Sequence, residues 1–171
     1  MLGFIVKRKL RAKEKELGAS MDYAVEMYDT APDAFWAFSK IMAAAEYRSK
    51  IPPAPYHVAR LVATRHADCG PCVQIVVNVA KKDGVEPAVL KAALGGRVEE
   101  LPESLRDVYR FAQAVVTQNG EDEPYRERLK QVFGAEAVVE LALAIAMCQV
   151  FPTLKRGLGH AKSCSVVKVE V

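Results

Sequence analysis

The stretch Thr64-Arg65-His66-Ala67-Asp68-Cys69-Gly70-Pro71-Cys72-Val73-Gln74-Ile75-Val76-Val77-Asn78-Val79 decides how the rest of the chain is read. It holds two of the four cysteines in C-x-x-C spacing and one of the three histidines. Pro71 suits the first turn of a helix, where a missing N–H costs nothing. Cys72, Ile75, Val76 and Val79 recur at the helical spacing i, i+3, i+4 and i+7, which places them on one face. The spacing therefore predicts a helix opening at the motif, with Asp68 as its cap. Cys69 then sits at a helix N-terminus, where unpaired N–H groups and the helix dipole favour a thiolate.

Three chemistries fit such a pair. Two buried structural cysteines are one, because free cysteine is among the most buried residue types. A zinc site drawing on His66, Cys69, Cys72 and either Cys164 or His160 is the second, but no further ligand pair stands at a recognised spacing. A dithiol that cycles through a disulfide is the third, and the placement at a helix start favours it. No metal and no cofactor are expected.

Working outward, Tyr56 to Ala67 reads as a helix with the apolar stripe Val58, Leu61 and Val62. His57 and His66 lie on opposite edges of that stripe, so one unbroken helix cannot aim both at a single point. The run Lys50-Ile51-Pro52-Pro53-Ala54-Pro55 ahead of it reads as a stiff break. Before that break, Met21 to Tyr28 and Ala34 to Tyr47 read as amphipathic helices, the second capped by Asp33 and carrying Phe35, Phe38, Ile41 and Met42 at core spacing. After the dithiol, Lys81-Lys82-Asp83-Gly84 ends a helix, Pro87 opens a short one to Leu94, and Gly95-Gly96 stops it. Leu105 to Val116 and Glu123 to Phe133 follow as helices. Ala135 to Phe151 is the most apolar segment and reads as a central core helix that Pro152 kinks or ends, with Cys148 buried in it. Only Val166 to Val171 alternates as a strand would.

The chain has 171 residues, 51% of them hydrophobic, which suits a single all-α domain with a real core. Residues 1–50 form an N-terminal helical arm, residues 51–160 the core with the C-x-x-C, and residues 161–171 a short extended tail. Four cysteines without a secreted framework fit a reducing, cytoplasmic setting. The net charge of +3 is concentrated: residues 1–17 carry six basic residues against Glu14 and Glu16. No aromatics interleave those bases beyond Phe4, so neither nucleic acid nor a membrane is the expected partner. The arm's apolar residues Phe4, Ile5, Leu10 and Leu17 are expected to dock on the body or on a neighbouring subunit.

Although Cys-Gly-Pro-Cys also occurs in thioredoxin, that motif follows a buried strand, and no alternation of strands with helices occurs here. The chain instead resembles the carboxymuconolactone decarboxylase-like family, which includes alkylhydroperoxidase D. A helix feeds a C-x-x-C that opens the next helix, from Leu61 to Val79. A Gly84-Val85-Glu86-Pro87 break with a short helix follows. Arg110-Phe111-Ala112-Gln113-Ala114-Val115 and the long helix from Ala137 to Leu158 are similar to the family's second half. The resemblance implies an alkylhydroperoxidase D-like multi-helix bundle and a homo-oligomer, a trimer or hexamer. In the family's peroxidases a glutamate twelve residues before the first cysteine and a histidine four after the second form a proton relay. His57 and Val76 occupy those positions here.

The expected function is thus a thiol-dependent oxidoreductase that reduces peroxides or disulfides and is reset by an external dithiol. Cys69 and Cys72 would carry the chemistry, with His57 and His66 as candidate proton carriers. The competing reading is a non-catalytic helical oligomer whose dithiol is structural or redox-sensing.

Overall fold

Prolines and glycines mark where the helices of this chain begin and end. The computed structural model describes residues 2–161, and among them every regular element is helical. The elements are α1 (Leu2–Leu17), α2 (Asp22–Thr30), α3 (Pro32–Ser39), α4 (Met42–Ala45), α5 (Pro53–His66), α6 (Gly70–Lys82), α7 (Pro87–Gly95), a 3₁₀ turn (Val98–Glu100), α8 (Glu103–Thr117), α9 (Asp122–Phe133) and α10 (Ala135–Gly157). A proline stands in the first two positions of α3, α5, α6 and α7. There it fixes φ and forfeits an N–H that has no partner within the helix anyway. Left-handed glycines follow α1, α6 and α7 at Gly18, Gly84 and Gly96.

The main core surrounds α5, which packs against α6, α7, α8 and α10. Nine of the 14 residues of α5 are buried, so this helix is enclosed on most of its circumference. A second, smaller cluster joins Val6 of α1 to Met21, Tyr23, Ala24 and Phe35, with Ile75, Leu154 and Leu158 packed against it. The N-terminal arm therefore lies over α6 and the end of α10.

Several local expectations are corrected. The segment Ala34 to Tyr47 is two helices, and the first begins at Pro32. Ser39 donates its hydroxyl to the Trp36 carbonyl at 2.8 Å, the acceptor that Lys40 N–H would need to continue the helix. Lys40 N–H turns to Ala37 instead, at 3.3 Å, and the helix tightens and stops. The proline run is not wholly outside helix, since α5 starts at Pro53 and takes Pro55 into its first turn. In α1 the residue that docks most fully is Val6, at 6% exposure, whereas Phe4 and Ile5 remain exposed at 73% and 42%.

Helix α10 runs through Pro152 to Gly157 rather than stopping there. Among the described residues it is the one helix with the length and apolar composition to cross a membrane. It nevertheless carries buried Glu140 and Lys155 and packs against α4, α5, α8 and α9. The Glu140 carboxylate accepts backbone N–H groups from Ser49, Lys50 and Ile51 at 2.9–3.0 Å, tying the strap before α5 to α10. Burial pushes this carboxyl up, but the three N–H donors outweigh it and hold it below the usual glutamate value. The expected tail strand at Val166–Val171, and Cys164, lie outside the described residues.

Candidate functional site

The corner between α5 and α6 presents the cysteines. Asp68 turns the chain there with a left-handed backbone, φ 49°, which aspartate tolerates better than most residues. Asp68 is therefore not the helix cap, as the spacing had suggested. Cys69 itself occupies the cap position, and its carbonyl accepts Val73 N–H at 3.0 Å. Helix α10 clamps the corner from outside. Arg156 donates to the carbonyls of Ala67 and Asp68, each at 3.0 Å, and Gln149 donates to that of Ala63 at 2.7 Å. The motif is thus fixed by contacts with residues more than eighty positions away.

Cys69 and Cys72 form a disulfide across the first turn of α6, their Cα atoms 5.3 Å apart. Both are buried, at 1% and 6% exposure, but only Cys72 lines the adjoining cavity. That cavity has a volume of about 710 Å³ and lies along the seam between the main core and the N-terminal cluster. Leu10 and Leu17 of α1, Tyr23 of α2, Phe35 and Phe38 of α3, and Phe151 of α10 supply much of its apolar wall. Cys148 is a free thiol, buried as its apolar helix predicts, and it too borders the cavity.

His57 is fully buried and lines the same cavity. Its Nε2–H donates to Asp83 Oδ2 at 2.8 Å, so the neutral ring leaves Nδ1 as an acceptor, and that buried atom has no partner among the described residues. Burial pushes the imidazole down to about 4 despite the opposing pull of Asp83, so His57 is neutral at physiological pH. Arg48 approaches the same Asp83 oxygen at 3.4 Å.

His66 is exposed at the end of α5 and does not line the cavity, as its opposite edge of the helix requires. His160 hydrogen-bonds Glu26 Oε2 at 2.6 Å and is also absent from the cavity wall. No group of three or more histidine, cysteine, aspartate or glutamate side chains positioned to hold a metal ion occurs among the described residues. Val76, at the position of the family's relay histidine, is buried on the cavity wall.

Sequence reading missed Asp83, Arg60 and Lys155. In sequence Asp83 and Lys155 are ordinary helix-end residues, and Arg60 belongs to no motif. Their meaning comes from the cavity that three separate segments enclose.

Neither a protein-family model nor a curated protein matches the chain. Among solved structures, the crystal structure of a cysteine-to-alanine variant of the debrominase Bmp8, in complex with 2,3,4-tribromopyrrole, is similar. The match has a TM-score of 0.72 and 20% identity, and covers 93% of this chain and 83% of that one. The two chains share a fold, the all-helical bundle that the family resemblance implies.

Proposed function

We propose that this protein is a thiol-dependent oxidoreductase of the carboxymuconolactone decarboxylase-like group. The observation that carries the reading is the Cys69–Cys72 pair at the start of α6, with Cys72 on the wall of a cavity that His57 shares. In the reduced protein, Cys72 is the thiol that a ligand in the cavity meets. His57 Nδ1, held as an acceptor by the bond from Nε2 to Asp83, takes the thiol proton. With a hydroperoxide, the thiolate attacks the terminal oxygen, the O–O bond breaks, and the departing alkoxide takes the proton from His57. The Cys69 thiol then condenses with the Cys72 sulfenic acid, releasing water and closing the disulfide. An external dithiol reopens it by exchange. A small disulfide would be reduced by the same pair through a mixed disulfide.

The debrominase neighbour supports adding a halogenated aromatic to the substrate panel, since a dithiol can reduce such a compound to the dehalogenated ring, halide and a proton while closing its disulfide. We place the protein in a reducing cytoplasmic setting as a homo-oligomer, with no nucleic-acid or membrane partner.

The test is dithiol-dependent turnover of an organic hydroperoxide, a small disulfide and a bromopyrrole by the full chain. Slow turnover of at least one is expected, and it disappears in Cys72→Ser and in Cys69→Ser. His57→Gln lowers the rate by about 10²-fold, the scale of a positioned proton carrier. His66→Ala, changing an exposed residue away from the cavity, leaves the rate within about twofold of wild type. Turnover that survives loss of both cysteines overturns the mechanism. An inert protein with both thiols reduced and titratable favours the sensing or structural role.

A further inference from the structure

The cavity wall carries cations that the thiol chemistry does not use. Lys155 is only 4% exposed, and among the described residues it forms no ion pair; its ammonium lies 4.8 Å from the Tyr23 ring centroid. Arg60 is placed with its guanidinium 5.1 Å from the Tyr56 ring centroid, and its buried Nε has no acceptor among the described residues. Both residues line the cavity. The carboxylates on the same wall are already engaged. Asp83 is held by His57 and Arg48, and both Glu16 and Glu46 pair with Lys13. A buried ammonium without a counter-charge is costly, and burial accordingly lowers the Lys155 ammonium below the ordinary lysine value. Most of the remaining wall is aliphatic and aromatic, with Met21, Ile75 and Phe151 among its residues.

We propose that the cavity binds an amphipathic organic anion, a carboxylate on an aromatic or aliphatic body, with Lys155 as its counter-charge and Arg60 as a second donor. The apolar wall takes the body of the ligand. The proposal rests on the thiol-oxidoreductase reading only in placing that ligand beside Cys72, and so it names the class of molecule the thiol would meet. His57 has no part in holding the anion, because its Nε2–H is committed to Asp83 and its Nδ1 accepts.

Titration calorimetry of the disulfide form, which cannot turn over, tests the assignment with β-naphthoate and its uncharged isostere β-naphthamide. The acid should bind at least about tenfold more tightly, the contribution of one charge-assisted hydrogen bond. Lys155→Met should bring the two affinities together, and Arg60→Gln should narrow the gap; the second variant decides the matter if the first does not fold. Equal affinities in the wild type, no binding of either compound, or a preference that survives in Lys155→Met each overturns the proposal. Binding of the acid is read on the disulfide form and turnover on the reduced wild type, so the two are measured separately. Retained binding without turnover by the reduced wild type therefore removes the thiol reading alone, and turnover without acid preference removes the anion site alone.

Discussion

At the scale of the residue, two buried ionisable groups both weaken the fold as the pH falls, each in its own window. His57 is neutral in the folded protein because desolvation outweighs the attraction of Asp83, with Arg60 and Arg48 also disfavouring charge. Its folded value of about 4 lies below the 6.5 of a free imidazole, so the unfolded chain binds the extra proton first. The stability this group contributes is complete above pH 6.5 and is lost as the pH falls toward 4, by on the order of 3 kcal/mol in full. Glu140 acts in a lower window. Its carboxyl is depressed below the ordinary glutamate value of 4.5, so its contribution is present above that pH and falls away below it as the carboxylate takes a proton. Denaturant unfolding at a series of pH values should show both phases. His57→Gln should flatten the upper one and leave the lower. Glu140→Ala should cost about 3 kcal/mol at neutral pH by stranding three backbone donors, with Glu140→Gln intermediate. An upper phase unchanged in His57→Gln would mean that another group titrates there.

At the scale of the element, the dithiol helix is held from both ends by distant parts of the chain. Its start is pinned through the α5–α6 corner by Arg156 of α10. Near its end, Asn78 donates its side-chain amide to the Leu17 carbonyl at 2.8 Å, joining α6 to the arm just where α1 stops. Gly18 makes that stop possible. Its φ is 68°, and a Cβ placed there would lie 2.7 Å from Asn78 Nδ2. Gly18→Ala should therefore destabilise the protein by about 1 kcal/mol or more through backbone strain and the displaced Asn78 bond. The loss should be concentrated in the arm, where limited proteolysis would cut α1 faster while amides of α5 keep their exchange protection. Uniform loss of protection across α5 and α8 would show instead that arm and core unfold together.

At the scale of the whole molecule, the cavity exists because two apolar clusters meet incompletely. The arm covers α6 and the end of α10 with Val6, Leu10 and Leu17, leaving space along the seam. Phe4 and Trp36 remain outward-facing on the same arm, at 73% and 44% exposure, and Val132 and Val139 are exposed on α9 and α10. Scattered exposed apolar residues are common, but the expected trimer or hexamer would use the arm's outer face. Light scattering on the full chain should give an oligomer, and Phe4→Ser with Ile5→Ser should shift it toward smaller species while leaving helicity unchanged. A wild-type monomer across the micromolar range would remove the oligomer from the proposed function.

The sequence by itself determined the helical order of the chain and the position of the dithiol. Proline at a helix start, glycine past its end and apolar residues at a 3.6-residue period act over one or two turns, and a single chain displays them directly. That is why Cys69 and Cys72 could be placed at the opening of α6 and Cys148 in an apolar helix. It is also why His57 and His66 could be assigned to different edges of α5. Tertiary structure decided which of those edges faces the cavity, because burial depends on the helices that pack against α5. It likewise gave Glu140 its backbone donors from a strap ninety residues away, made Asp83 the partner of His57, and left Lys155 without an ion pair among the described residues in a largely apolar wall. Each of these roles is electrostatic, and a charge acquires its energy from whatever surrounds it in space rather than from its neighbours in the chain.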